Sequence, residues 1–224
     1  MKTIVIASFA GGVGKTTTAH SLATAMCEYG QKTLLIDADP NATLTFLCGV
    51  ENPRFTLLEV INGSSLQRSV VSTGERFSLL PGSARLNEIS EFTSLPEGKD
   101  FDLSVVDTAS SLNPLAVSLI KVAELIVVPV SDSISSIRAA LHIRDFVGLE
   151  NVNKIRILDC GMNIERKAQL SSDFEVLETV IRRGEEIRVN ELNKVSVLTS
   201  APNSAIASDY REIGYSILEE LGMI

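Results

Sequence analysis

The feature that most constrains this chain is a glycine-rich stretch directly after a short apolar run near its start. Residues 3–8 read TIVIAS and residues 9–18 read FAGGVGKTTT. The apolar run predicts a buried strand, and a glycine-rich turn between a strand and a helix can point backbone N–H groups at a phosphate. The general pattern G-x-x-x-x-G-K-[ST] has glycine where this chain has Phe9. The stretch therefore predicts a phosphate-binding loop with an altered first position.

Each residue of the loop has an expected role. The backbone that would wrap around the phosphates belongs to Gly11, Gly12, Val13 and Gly14. Lys15 would reach the β- and γ-phosphates, Thr16 would place its hydroxyl on Mg²⁺, and Thr17 would reach the α-phosphate. A strand, GGVGKTT and a helix in this order favour a nucleotide site over a tight turn without a ligand.

Three acidic residues follow predicted strands and strengthen this interpretation. LLIDADPN places Asp37 and Asp39 at the end of the second strand, and VVDTAS places Asp107 at the end of a later one. Carboxylates beside a phosphate site suit Mg²⁺-water coordination and orientation of an attacking water. A solvated Asp-Pro turn is the alternative for the first pair taken alone.

The rest of the chain alternates strand-length apolar runs with amphipathic helical runs. Strands are predicted at 3–8, 32–37, 76–82, 101–107, 124–130 and 154–161, and helices at 15–29, 56–63, 84–92, 112–123, 133–149, 168–183 and 204–221. This order predicts an α/β fold with a doubly wound, mostly parallel sheet and helices on both faces, in a single domain over residues 1–224. The hydrophobic fraction of 45% with no Trp agrees with a core of aliphatic side chains.

Composition excludes several classes of protein. No apolar run is long enough to span a bilayer, and the apolar start leads directly into the glycine-rich loop without a cleavage-site region. Cys27, Cys48 and Cys160 are scattered and form no zinc pattern with the two histidines, so buried, reduced thiols are expected. The net charge of −8 argues against a protein that coats itself in nucleic acid, although a local basic face stays possible.

With these motifs in order, the chain resembles the ParA/Soj/MinD family of deviant Walker ATPases. That family's loop reads K-G-G-x-G-K-[ST]-[ST], in which the position of Phe9 need not be glycine. The resemblance extends from GGVGKTTTAHSLATAMCEYGQKTLLIDADPNATLT through FDLSVVDTASSLNPLAVSLIKVAELIVVPV to SAPNSAIASDYREIGYSILEEL. Asn41 stands where the family's D-x-D-P-Q stretch has glutamine.

The resemblance implies an ATPase that uses ATP and Mg²⁺ and forms a homodimer with ATP sandwiched between subunits. It further implies sequence-independent DNA binding by the ATP dimer, a ParB- or McdB-like adaptor that stimulates hydrolysis, and a cytoplasmic, nucleoid-associated protein that positions a plasmid, a chromosome or an organelle such as the carboxysome. By the same resemblance Asp39 orients the attacking water, Asp37 and Asp107 lie on the Mg²⁺ side, and Pro129, Met162 and Asn163 border the adenine.

The chain departs from the family at Ala10, which occupies the position of the signature lysine. In the family that lysine crosses the dimer interface to the partner's phosphates, where it offsets their charge. Another cation could take over, with Lys154, Arg138 and Arg144 as candidates. Alternatively the chain hydrolyses ATP slowly and dimerises weakly, or it is a nucleotide-binding regulator without a dimer switch.

Basic residues in the C-terminal part offer a DNA face, since phosphate contacts need only positive charge. They are Arg166, Lys167, Arg182, Arg183, Arg188, Lys194 and Arg211, and the acidic residues interleaved with them are Glu185, Glu186 and Glu191. A charge-balanced helix end is the alternative. The tail YREIGYSILEELGMI is too acidic for a membrane-surface helix, so no membrane contact is expected.

Two alternative functions remain open. One is an ATP-binding regulatory module with little hydrolysis. The other is a metabolic kinase or an amidoligase-type enzyme on a related scaffold, such as dethiobiotin synthetase, although no separate set of substrate-binding residues is evident in the sequence.

Overall fold

The computed structural model describes residues 1–90, 92, 94–95 and 98–224, with the side chains of residues 190 and 191 excepted. The strands are β1 (Lys2–Ile6), β2 (Thr33–Ala38), β3 (Val71–Ser72), β4 (Ser78–Leu80), β5 (Leu103–Thr108), β6 (Leu125–Val130), β7 (Ile155–Asp159) and β8 (Glu175–Val176). The helices are α1 (Lys15–Glu28), α2 (Thr43–Leu47), α3 (Leu57–Ile61), α4 (Leu66–Ser69), α5 (Pro114–Val122), α6 (Ile134–Val147), α7 (Ile164–Ser171), α8 (Glu186–Asn193), α9 (Val197–Ser200) and α10 (Ala205–Glu220).

The strands described form one sheet in the order β3-β4-β2-β5-β1-β6-β7-β8, and β3 alone pairs antiparallel with its neighbour. Ile4 and Ile6 of β1 belong to a core cluster that includes α1 and α10, whereas Val5 belongs to a second cluster with α3, α5 and α6. Successive side chains of a strand point to opposite faces, so both faces of the sheet are covered by helices. The predicted fold class is confirmed.

The parallel strands bring their carboxyl ends to one edge of the sheet. β1 is central, with β5 and β2 on one side and β6 and β7 on the other. The segments that follow β1, β2, β5, β6 and β7 therefore converge at this edge. Ligands of open parallel sheets bind outside the carboxyl ends of the strands, next to the point where the strand order reverses.

Three sequence predictions are wrong in detail. The helix predicted over 168–183 is split, because α7 ends at Ser171 and the chain then extends along β7 as β8, with Leu177 N–H donating to Ile157 and Ile181 N–H to Asp159. The helix predicted over 84–92 is a 3₁₀ turn over Ala84–Glu88, and residue 91 lies outside the described residues. Strand 76–82 is confirmed only over Ser78–Leu80.

Short elements escaped the sequence analysis. The helices α2, α4, α8 and α9 have four to eight residues, too few for an apolar period to be recognised. The helices predicted at 15–29, 56–63, 112–123, 133–149 and 204–221 are all present, because each carries a cap or an apolar face over several turns. In the described part of the chain no helix is long and apolar enough to cross a bilayer.

Candidate functional site

The glycine-rich loop lies between β1 and α1, at the carboxyl edge of the sheet. Gly12 and Gly14 have φ angles of 70° and 91°, in the left-handed region that favours glycine, and Gly14 is the N-cap of α1. The loop therefore turns directly into the N-terminus of a long helix, where free N–H groups and the helix dipole attract anions.

A cleft of about 590 Å³ opens beside this loop. The residues that line it are Gly12, Val13, Gly14, Lys15, Thr16, Thr17, Asp39, Thr43, Leu47, Ser110, Ser131, Cys160, Ile181, Arg182, Arg183, Ile187 and Tyr210. Of the predicted loop residues only Gly11 is missing from this lining, and it is exposed at the start of the turn.

The side chain of Lys15 folds back over the loop. Its Nζ donates to the backbone carbonyl of Ala10 at 3.1 Å and to Ser110 Oγ at 2.8 Å. Burial lowers the pKa of the Lys15 ammonium, while the charges of Asp107 and Asp39 oppose that shift. The lysine is thus held over the loop, in the place from which it would contact phosphate oxygens.

Asp37 is held below the cleft by three hydrogen bonds. One oxygen accepts from Thr45 N–H at 2.8 Å and from Thr45 Oγ at 2.6 Å, and the other accepts from Asp39 N–H at 3.1 Å. Burial raises the pKa of Asp37 to about 6, although these bonds favour the charged form. Gly82 adds a steric limit, since a Cβ there would lie 2.8 Å from Asp37 Cγ.

Asp107 is the penultimate residue of β5 and lies directly opposite Asp37 in the sheet register. Its side chain is fully buried, and neither oxygen has a hydrogen-bond partner among the described residues. Burial and the neighbouring Asp37 raise the pKa of Asp107, against the influence of Thr16 and Lys15. A buried carboxyl without a hydrogen bond carries a free-energy cost, which an ordered or metal-bound water would relieve.

Asp39 reaches the cleft itself. Its Oδ1 accepts hydrogen bonds from the backbone N–H and the side-chain amide of Asn41, at 2.9 and 3.0 Å. Asn41 thereby fixes the orientation of the carboxylate. The structure brings Asp39, Lys15 and Thr16 together around one cleft, as the sequence predicted.

The far end of the cleft differs from the sequence-based expectation. It is bordered by Cys160 after β7, by the segment Ile181–Arg183 after β8, by Ile187 of α8 and by Tyr210 of α10. Pro129 pairs within the sheet and Asn163 caps α7, and neither these residues nor Met162 line the cleft. The extended segment after β8, which was predicted to be helical, supplies this wall.

The three candidates for a cation that replaces the missing lysine lie in different places. Ala10 packs with Val13 and with Ala139 of α6, so Arg138 lies beside the loop and is exposed. Arg144 lies two turns further along α6 and pairs with Asp145 and Asp173. Lys154 directly precedes β7 and thus lies at the amino edge, remote from the cleft.

Most of the basic residues in the proposed DNA face are engaged in ion pairs. Arg166 pairs with Asp132, Lys167 with Asp159, Arg182 with Asp209, Lys194 with Glu51, and Arg211 with Glu28. Arg183 lines the cleft, and Arg188 is exposed on α8. The side chain of Glu191 lies outside the described residues.

A helix that starts at a left-handed glycine loop, a lysine folded over that loop and carboxylates at the ends of neighbouring strands define the chain as a P-loop nucleotide-binding protein. Comparison with known proteins refines this class. The family model described as an AAA domain matches residues 1–98. Together with the relatives described next, this match supports a P-loop ATPase of the ParA/MinD kind.

Two curated relatives illustrate the family. The maintenance of carboxysome distribution protein A of Synechococcus elongatus is 29% identical over 163 residues, which is 66% of this chain and 65% of that protein. This chain therefore aligns with slightly less than two thirds of that relative's length. The chromosome-partitioning ATPase Soj of Thermus thermophilus is 28% identical over 97% of this chain and 96% of that protein.

Solved structures share the fold along the whole chain. The septum site-determining protein MinD of Pyrococcus horikoshii, complexed with Mg-ADP, has a TM-score of 0.80 at 23% identity and covers 99% of this chain and 98% of its own. A cobyrinic acid a,c-diamide synthase of Mycobacterium smegmatis with ADP and magnesium has a TM-score of 0.78 at 21% identity, with 99% and 96% covered. The fold alone thus does not separate positioning ATPases from amide-forming enzymes.

Proposed function

We propose that this protein is an ATPase that dimerises with ATP, binds DNA without sequence preference and positions or partitions a cargo. The observation that carries the proposal is that Lys15 and Asp39 line a single cleft, with Asp107 buried close enough to interact electrostatically with both. The names of two relatives, which refer to carboxysome distribution and chromosome partitioning, suggest an organelle or a replicon as cargo. A cytoplasmic, nucleoid-associated location belongs to the same proposal.

The residues present fit a Mg²⁺–nucleotide. Mg²⁺ usually keeps several waters and binds through one or two carboxylates plus substrate phosphates. Among the described residues no group of three or more His, Cys, Asp or Glu side chains would hold a metal alone, which agrees with an ion that shares phosphate ligands. Thr16 would hold it directly, and Asp107 and Asp37 would hold its waters. When bound, the ion would neutralise charge on the phosphates.

The side chains of this chain divide the work of hydrolysis. Lys15 would stabilise the charge that spreads over the phosphoryl oxygens, and the loop backbone would hold the nucleotide in line. Asp39, oriented by Asn41, would accept a hydrogen bond from the attacking water and align it with the γ-phosphate. In this proposal the loop is a variant of the deviant Walker loop, which lacks the signature lysine at Ala10 but keeps Lys15, Thr16 and Thr17.

An exposed apolar row supports a face-to-face homodimer. Leu112, Ile134 and Ile164 follow β5, β6 and β7 at the edge of the sheet that carries the cleft, and their exposed fractions are 60%, 67% and 88%. Large apolar side chains in such a row are typical of an interaction surface. A second copy that covers this row would bring the two clefts together.

Arg138 is the candidate that best suits the role of the missing lysine. It is exposed beside Ala139, which packs with Ala10, and it stands near the start of α6 at the edge that carries the cleft. Arg144 is engaged with two carboxylates and Lys154 is at the opposite edge. We therefore expect Arg138 to offset the charge of the facing triphosphates.

For DNA binding, the ion pairs made by the other basic residues narrow the candidates to Arg183 and Arg188.

A ParB- or McdB-like adaptor that stimulates hydrolysis completes the proposal. The amidoligase alternative has less support, because the charged side chains in the lining of the cleft are those of Lys15, Asp39, Arg182 and Arg183, with no further set for a second substrate. A regulatory module with little hydrolysis differs from the proposal only in turnover.

The deciding experiment is light scattering of the Asp39→Ala variant with ATP, with ADP and without nucleotide, with DNA binding measured in parallel. We expect a dimer with ATP only, stable in the variant because hydrolysis is slowed by about a hundredfold or more. The exposed Asp100→Ala is the matched control and should behave as the unaltered chain. A monomer under all three conditions would contradict the sandwich dimer.

The same light-scattering assay tests whether Arg138 takes the role of the missing lysine. Arg138→Ala should abolish the ATP-dependent dimer while ATP binding by the monomer persists, whereas Lys154→Ala should dimerise normally. If Arg138→Ala dimerises with ATP as well as Lys154→Ala does, Arg138 has no role at the dimer interface.

A further inference from the structure

The loop after β5 places a hydroxyl group at the phosphate end of the cleft. Ser110 follows Asp107 by three residues and lines the cleft, and its Oγ lies 2.8 Å from Lys15 Nζ. Thr108, also on this segment, donates instead to the carbonyl of Ile6 at 2.8 Å and is buried. Ser111 is exposed but does not line the cleft. Ser110 is therefore the hydroxyl of this segment that faces the site.

The position of Lys15 Nζ indicates where a terminal phosphate would lie. A phosphate-loop lysine binds oxygens of the β- and γ-phosphates. An oxygen that takes the place of Ser110 Oγ as the acceptor of the lysine would remain within hydrogen-bond reach of that hydroxyl. Ser110 approaches from the β5 side of the cleft, opposite to the α2 side from which Thr43 and Leu47 approach.

We propose that Ser110 recognises the terminal phosphate, by donating its hydroxyl hydrogen bond to a γ-phosphate oxygen when a nucleoside triphosphate is bound. This inference rests on the nucleotide binding proposed above and adds a residue that distinguishes triphosphate from diphosphate. Without nucleotide the same Oγ accepts from Lys15, so Ser110 exchanges one charged partner for another. The loop that carries it leads to Leu112 of the apolar row, which links recognition of the third phosphate to the dimer face.

The test compares affinities for a non-hydrolysable ATP analogue and for ADP by calorimetry. In Ser110→Ala we expect the affinity for the analogue to fall about tenfold, since a hydrogen bond to a charged group is lost, and the affinity for ADP to stay within about twofold. Ser111→Ala is the matched control and should bind both nucleotides as the unaltered chain does. Ser110→Thr keeps the hydroxyl and should restore discrimination.

The outcomes are separable. If Ser110→Ala binds both nucleotides more tightly, the hydroxyl only holds Lys15 in the empty site and the inference fails. Equal losses for the analogue and ADP, or no change in either, overturn it as well. If the unaltered chain binds neither nucleotide, the proposed function fails first and the role of Ser110 falls with it.

Discussion

At the scale of single residues, the carboxylates of the site depend on neighbours that carry no charge. Thr45 donates two hydrogen bonds to Asp37 and accepts one from Gly82 N–H at 2.9 Å. Gly82 leaves no room for a side chain, because a Cβ would contact both the side chain and the backbone of Asp37. The Pro-Gly turn after β4 is thus part of the support of the site.

Gly82→Ala tests this support. The added methyl group must displace Asp37, so we expect a loss of about 1–3 kcal/mol in stability and at least a tenfold loss in Mg²⁺-dependent nucleotide affinity. Denaturant unfolding and nucleotide titration measure the two effects. The control is Gly74→Ala, where a Cβ would meet nothing within 4 Å. Unchanged nucleotide affinity in Gly82→Ala would show that Asp37 tolerates the shift.

The charged candidates of the site can be recognised in the sequence, but the residues that support them cannot. A lysine and acids at the ends of strands have recognisable spacing, so Lys15, Asp39 and Asp107 could be predicted. Gly82 and Ser110 are distant in sequence from the residues they contact, and although VVDTAS ends at Ser110, that pattern assigns no role to its hydroxyl. The sequence does not predict the wall of the cleft formed by Ile181–Arg183. The segment after β8 is extended because it pairs with β7, and local periodicity carries no information about such a long-range contact.

At the scale of elements, one buried carboxylate joins three parts of the fold. Glu75, in the loop before β4, accepts hydrogen bonds from His20 and Thr24 of α1 and from Ser196 and Thr199 at α9. Burial disfavours the charged form of Glu75. The hydrogen bond from His20, the charge of His20 and the hydrogen bonds from the Ser196 and Thr199 hydroxyls outweigh burial, so the pKa of Glu75 is lowered to about 2. This carboxylate therefore fastens α9 to the helix that begins at the phosphate loop.

Glu75→Gln should destabilise the protein by about 3 kcal/mol at pH 7. Because the folded pKa is lowered, the stabilisation is fully present above the unfolded value of 4.5 and is lost as the pH falls toward 2. The difference in the free energy of unfolding between Glu75→Gln and the unaltered chain should therefore become smaller below about pH 4.5. Urea unfolding across this range measures it, with the exposed Glu178→Gln as control. If the difference in the free energy of unfolding between the two proteins does not change with pH, the effect of the substitution comes from packing and not from charge.

A second link joins the ends of two helices, α8 and α2, that each contribute one side chain to the lining of the cleft. Ile187 of α8 and Leu47 of α2 both line the cleft, and Lys194, which follows α8, contacts residues in and after α2. Its Nζ lies 2.7 Å from Glu51 Oε1 and 4.2 Å from the centre of the Phe46 ring. Lys194 also has a φ of 54°, an uncommon backbone conformation for this residue type.

We expect this link to slow nucleotide exchange. Lys194→Met and Glu51→Gln should each raise the dissociation rate of a fluorescent ATP analogue about threefold, as suits an exposed ion pair with a cation–π contact. The double variant should be no faster than the faster single one, because both remove the same link. Lys121→Met is the matched control, since Lys121 lies over the ring of Phe146 rather than at the cleft. If the increases in dissociation rate multiply in the double variant, Lys194 and Glu51 act separately.

At the scale of the whole molecule, charge limits how the protein can approach DNA. Each chain carries a formal charge of −8, so a dimer carries 2 × (−8) = −16. Most basic residues of the C-terminal part are neutralised by partners, and their charge is not available to phosphates. The proposed DNA binding would therefore rely on a few exposed arginines that the proposed dimer doubles, which would make it sensitive to salt and dependent on ATP.

Arg188→Glu tests whether that local face exists, and Arg85→Glu separates it from the effect of net charge. Both variants change the chain's charge by the same amount, but Arg85 is 62% exposed in the turn after β4 and pairs with Glu59 and Glu88. With ATP present, we expect Arg188→Glu to lower DNA affinity at least tenfold and to reduce the salt slope by about 2 per dimer, since each lost phosphate contact removes about 1. Arg85→Glu should lower the affinity only slightly and leave the slope unchanged. Equal losses in the two variants would mean that DNA responds to total charge alone, and the exposed face of α8 would then have no special role in binding.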